Sequence, residues 1–129
     1  MNTAPAGTSG PDFVSFQVRD LAASADFYER LVGLTRLPAP NPHAVVFSGG
    51  GGGAAFAVRE PLPGVDLDAV GQLGAGVGVW FHDPEAAARH SRLVEGGVPI
   101  VQEPAEGPFG TTFAFCDPDG YVVTIHSRA

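Results

Sequence analysis

The stretch that decides the fold is "VSFQVRDLAASADFYERLVGL", residues 14–34, read beside "VGVWFHDPEAAARHSRLVEGG", residues 77–97. Overlaid at an offset of 63, Val14 falls on Val77, Asp20 on Asp83, Ala23 on Ala86, Ala25 on Ala88 and Gly33 on Gly96. The shared grammar carries more than the identities. Each copy opens on β-rich residues, reaches an Asp fit to cap a helix, runs on at helical spacing and stops at glycine. In the first copy Leu21, Ala25, Tyr28 and Leu31 predict a helix over 21–32. In the second, Asp83 as N-cap and Pro84 at the first helical position predict a helix over 84–95, ended by Gly96–Gly97.

Strands fill in around these two helices. "FVSFQV" (13–18), "AVVFS" (44–48) and "AAFAVRE" (54–60) read as strands of the first half, with "GGGGG" (49–53) as the hairpin turn between the last two. The second half offers "VGVWFH" (77–82), "VPIVQEP" (98–104), "TTFAFC" (111–116) and "YVVTIHS" (121–127). A type I-like turn at "DPDG" (117–120) joins its last two strands. The expectation is an α+β fold of two βαβββ units within one domain. Residues 1–11 read as a disordered tail, 12–60 as the first unit, 61–75 as a linker with at most a short helical turn, and 76–129 as the second unit.

The totals narrow the function classes. A chain of 129 residues suits one domain, and 44% hydrophobic content suffices for a core. A formal net charge of −7 argues against nucleic acid and anionic membranes, both of which need Lys/Arg clusters. It is compatible with a cationic or neutral small ligand. The single cysteine, Cys116, excludes an internal disulfide and fits a reducing cytosol. No apolar run approaches the ~20 residues that span a membrane. The opening "MNTAPAGTSGP" has neither the charged nor the apolar region of a signal peptide. A cytoplasmic location is expected.

Two segments carry a family likeness: residues 14–34, and "GPFGTTFAFCDPDGYVVTI" (107–125), where an aromatic–Gly pair precedes the Asp-Pro-Asp-Gly turn. On these the chain resembles the vicinal oxygen chelate superfamily, which includes glyoxalase I, bleomycin-resistance proteins and extradiol dioxygenases. The likeness spans 13–127. It implies that each βαβββ unit curls its sheet into a half-open barrel, the concave faces enclosing a cavity. In the metal enzymes of that superfamily, His, Gln or Glu ligands come from the first and last strands of each unit. The resemblance puts those positions at Phe13, at Phe56 or Ala57, at Gly76 and at Thr124. None supplies an imidazole or a carboxylate, whereas a divalent ion typically takes three or more strong protein ligands. The resemblance therefore implies no metal and no other cofactor, and no catalytic residue is assigned.

Alternation along each strand extends the inward set from Phe13, Gly76 and Thr124. The inferred ligand-binding lining is Phe13, Ser15, Gln17, Gly76, Gly78, Trp80, Thr124 and His126, with Val122 beside them. Phe109 joins it at the cavity mouth, where binding members of the family place a stacking aromatic. Sparse polar groups in an apolar pocket are what small-molecule sites look like. Plain structural roles stand beside these: Trp80 as core, Phe13 as packing, His126 as a surface or hydrogen-bonded residue. His43, His82 and His90 form no HxH or HExxH grouping, Cys116 has no neighbouring base in sequence, and Glu103 and Glu106 read as a solvated loop. The expected function is metal-free binding and sequestration of a small molecule, a natural product or antibiotic that is aromatic or cationic. The likeness is greatest to the bleomycin-resistance type, and a homodimer is expected. The alternative is a metal-dependent lyase, isomerase or dioxygenase of the same superfamily with displaced ligands, Gln17, His82 and His126 being the first suspects.

Overall fold

Strand alternation sets the first element. In β1, Phe13–Gln17, Phe16 is buried while Phe13 and Ser15 are exposed. The computed structural model describes residues 4–38, 41–51 and 53–128. Helix α1, Leu21–Phe27, begins where the Asp20 carboxylate accepts the N–H of Ala23 at 3.0 Å. It widens into a π-helical turn, Tyr28–Val32, and ends at Gly33, whose φ of 87° suits glycine. Strands β2, Ala44–Phe47, and β3, Ala55–Arg59, complete the unit. The sheet order is β1-β3-β2, with β1 parallel and β2 antiparallel to β3.

The second unit repeats the scheme with β4 (Trp80–His82), α2 (Ala86–Glu95), β5 (Ile100–Gly107), β6 (Gly110–Cys116) and β7 (Val122–His126). Its order, β4-β7-β6-β5, superimposes on that of the first. There, among the described residues, the counterpart of β5 is one antiparallel bridge between Arg36 and Phe47. Leu37 still donates to the Val46 carbonyl at 2.8 Å, but Pro38 has no N–H with which to extend the ladder.

Three boundaries depart from the sequence reading. Helix α2 starts at Ala86, not at Pro84. The Asp83 carboxylate accepts the N–H of Glu85 at 2.9 Å and pairs with Arg89 at 2.8 Å, so residues 83–85 form a turn ahead of the helix. Strand β4 starts at Trp80 rather than Val77, because Gly76 takes a left-handed φ of 87° and Val77 closes a turn onto the Gly74 carbonyl. Strand β5 covers 100–107 rather than 98–104, with register shifts on either side of Gln102. Between the units, a single helical turn at Leu67–Ala69 buries Leu67, and Leu73 is buried further on.

The core lies between the helices and one face of each sheet. Phe16, Phe47, Phe56 and Val58 meet Phe113, Phe115, Val123 and Ile125, with Ala25, Tyr28 and Leu93 contributed by the helical segments. Polar groups stitch the two units together. The Tyr28 hydroxyl, fully buried, donates to Asp117 Oδ2 at 2.6 Å, and the Tyr121 hydroxyl donates to the Gln17 carbonyl at 2.8 Å. Arg19 reaches both Asp68 and Asp119, and Arg89 donates to the Leu31 carbonyl at 3.0 Å. No helix among the described residues is long and apolar enough to cross a membrane.

Candidate functional site

Alternation that buries Phe113, Phe115, Val123 and Ile125 turns their neighbours to the opposite, open face of the second sheet. Pairing across β4, β7 and β6 then fixes the layout. Trp80 lies beside Thr124 and His82 beside His126; Thr124 lies beside Ala114, His126 beside Thr112 and Val122 beside Cys116. Trp80 is 49% exposed and Phe109 52%. Their rings meet edge to face at 5.5 Å, and the His126 ring sits 5.8 Å from Trp80 and 6.2 Å from Phe109. The three rings form an aromatic patch at the surface of the chain.

Phe109 is held in place by a tight hairpin. Gly107 pairs with Gly110, leaving Pro108 and Phe109 as the turn. Gly110 has a φ of 77°, and a Cβ there would collide with Ser127 Oγ, so only glycine fits. Residues after β7 brace this hairpin. Ser127 exchanges hydrogen bonds with Thr111, Arg128 N–H donates to the Phe109 carbonyl at 2.9 Å, and the Arg128 guanidinium reaches the Pro108 carbonyl at 3.3 Å.

The expected site residues divide into two groups. Trp80, Phe109, Thr124 and His126 converge on the second sheet. Phe13, Ser15 and Gln17 share a face of the first sheet, paired with Ala55, Ala57 and Arg59 respectively. Ala57, not Phe56, is therefore the face-lining residue of β3, and Phe56 belongs to the core. Gln17 Oε1 is engaged by the N–H of Leu62 at 2.8 Å. Gly76 and Gly78 precede β4, and Gly78 packs under the Trp80 indole. Thr112, Ala114 and Cys116 share the open face but were not placed there from the sequence, and His82, named there only as a suspect ligand of the alternative reading, joins them as the neighbour of His126. The signal was present, since Phe113 and Phe115 as core residues oblige 112, 114 and 116 to face the other way.

The shifted titratable groups gather around Asp117 and Asp119. Burial, reinforced by Asp117, pushes the Tyr28 hydroxyl well above its usual range. Burial also raises Asp117 itself, against hydrogen bonds from Tyr28 and the N–H groups of Tyr121 and Asp119 that pull it down. Cys116 is raised by burial and by Asp117, which keeps it a thiol and not a nucleophilic thiolate. Two recesses flank the sheet, the first sharing His82 with the open face and the second remote from it. One of about 230 Å³ is lined by Gly33, Phe81, His82 and Arg89, and another of about 230 Å³ by Arg19, Pro61, Asp66 and Asp68.

A model of the Glyoxalase/Bleomycin resistance protein/Dioxygenase superfamily matches residues 10–125. The chain belongs to this superfamily. Among solved structures it is similar to TnmS3, an antibiotic binding protein from Streptomyces sp. CB03234, with 24% identity over 96% of this chain and 99% of that one and a TM-score of 0.74. A glyoxalase/bleomycin resistance protein from the same organism shares 25% identity, covering 91% of this chain and 99% of that one, at a TM-score of 0.71. A lactoylglutathione lyase from Agrobacterium tumefaciens shares 20%, covering 92% and 93%, at 0.63. No curated protein matches. A binding protein and a lyase thus share this fold, and the fold alone does not choose between them.

The superfamily's metal enzymes make metal the next question. The positions the resemblance assigns to metal ligands hold Phe13, Phe56 or Ala57, Gly76 and Thr124, whose only side-chain donor is one hydroxyl. Among the described residues no three His, Cys, Asp or Glu side chains stand together as a metal-holding group. The residues present do not fit a divalent ion at that place.

Proposed function

We propose that this protein binds a small aromatic molecule, a natural product or antibiotic, and sequesters it without a metal and without changing a bond. One observation carries the reading: Trp80, Phe109 and His126 form a half-exposed aromatic cluster on an open sheet face. Large aromatic surface left open and fixed in place by a glycine-bound hairpin is suited to stacking a planar partner. The acidic surface admits a cationic substituent on that partner. The likeness to TnmS3, an antibiotic binding protein, supports the same reading.

The protein works in this proposal as a cytosolic homodimer. The platform is open on its own chain, so a second copy supplies the opposite wall, and the face bearing Phe13, Ser15 and Gln17 is the surface available for that role. Trp80 is the only tryptophan of the chain, so intrinsic fluorescence reports directly on the site. Titration against a panel of aromatic natural products should give saturable quenching by at least one class. A flat response across the panel refutes the ligand reading, and stoichiometric metal after chelator-free purification refutes its metal-free part.

A further inference from the structure

Stacking leaves one part of the platform unexplained, the pair His82 and His126. They are register partners on adjacent parallel strands, their rings 5.4 Å apart and inclined at 43°. Each ring spends one nitrogen on the backbone. His82 Nε2 lies 3.1 Å from the Ser127 carbonyl, and His126 Nδ1 lies 2.8 Å from the Arg128 carbonyl. A carbonyl oxygen only accepts, so each of these nitrogens must carry the proton. In the neutral rings the opposite nitrogens, His82 Nδ1 and His126 Nε2, are then left as bare acceptors. No hydrogen bond from the described residues reaches either one.

We propose that these two lone pairs select the ligand: a planar aromatic whose edge carries hydroxyl or N–H donors. The inference rests on the stacking reading above and adds polarity to it. A ring lying on Trp80 and Phe109 brings its edge toward His126, which touches both, and through it toward His82. The neighbouring Thr112 and Thr124 hydroxyls can donate or accept, so they follow whichever group the ligand presents. The histidines cannot adapt in the same way, because turning their protons round would break the bonds to Ser127 and Arg128. An ether or ketone edge therefore meets lone pair with lone pair. A site with fixed polar groups discriminates against an analogue that leaves them unpaired.

The test uses two probes with the same ring and oxygen positions, 2,3-dihydroxynaphthalene and 2,3-dimethoxynaphthalene, in NMR titrations of the whole chain, the histidine variants separating lost donors from added methyl bulk. The diol should bind roughly ten-fold more tightly than the diether, the value of about one hydrogen bond. Both should shift the Trp80 indole N–H resonance. In H82F and H126F, which keep a ring and lose the acceptor, the preference should shrink to within about two-fold. Equal affinity of the two probes for the wild-type protein overturns the acceptor assignment while leaving the stacking platform standing. A diol preference that survives in both variants overturns it as well. Failure of both probes to shift the Trp80 resonance overturns the platform, and this inference with it.

Discussion

Trp80→Ala should weaken ligand binding by at least about 30-fold while lowering stability only moderately. The indole is 49% exposed. A tryptophan presents up to about 250 Å², so about 120 Å² remains open to a partner. A planar ligand lying on one face covers roughly half of that, about 60 Å², which at about 25 cal/mol per Å² gives ~1.5 kcal/mol. Aromatic pairing adds ~0.5–1.5 kcal/mol. Together these come to ~2–3 kcal/mol, or roughly 30- to 150-fold at 1.4 kcal/mol per decade. Truncating a fully buried tryptophan costs about 3–5 kcal/mol; with half its surface already in water, Trp80 should cost about 1–2. Phe109→Ala, in a hairpin turn and 52% exposed, should lower affinity about ten-fold and leave the melting temperature nearly unchanged. Calorimetric titration reads both affinities without relying on the deleted fluorophore, and thermal melts read stability. Wild-type affinity in F109A, together with a purely stabilising role for Trp80, would show that the platform is packing and that this reasoning is wrong.

Tyr28→Phe removes the buried donor to Asp117 Oδ2 and should destabilise the fold by ~1–3 kcal/mol in urea titrations, the cost of an orphaned buried acceptor; an unchanged midpoint refutes it. Burial raises Asp117 above its usual range, so the folded state holds that proton more tightly than the unfolded one. The stabilisation is full below about pH 4 and is lost as pH rises through the raised value. Wild-type stability relative to D117N should therefore fall across the acid range and then level off, and a rising difference refutes the sign. Light scattering at micromolar concentration should report about twice the 13.3 kDa chain mass, and a clean monomer refutes the proposed dimer.

Local chemistry was legible in the sequence where one residue settles one bond. Asp20 caps α1 and Gly33 ends it as read, because a carboxylate and a left-handed glycine act within one turn of chain. The turn at 117–120 held for the same reason, with the Gly120 N–H returning to the Asp117 carbonyl at 3.0 Å. Asp83 misled because its carboxylate had a second suitor, Arg89, six residues on. Gly76 and Gly78 misled because alternation was extended through residues with no side chain to enforce it. At the candidate site, counting along single strands found Trp80, Thr124 and His126. It left out Thr112, Ala114 and Cys116, because the count was not carried onto the strand of Phe113 and Phe115, and it did not carry on from Trp80 to His82 two residues along. Nothing local in Phe13 tells whether its face meets the platform of the same chain or that of another.

The bracing of the Phe109 hairpin by Ser127 and Arg128 has a mechanical side. Three contacts from the stretch after β7, to Thr111, Phe109 and Pro108, clamp the turn whose tip is half of the stacking surface. The carbonyls of the same two residues orient both histidine rings. Displacing Ser127 or Arg128 therefore acts on the hairpin tip and on both histidine rings at once.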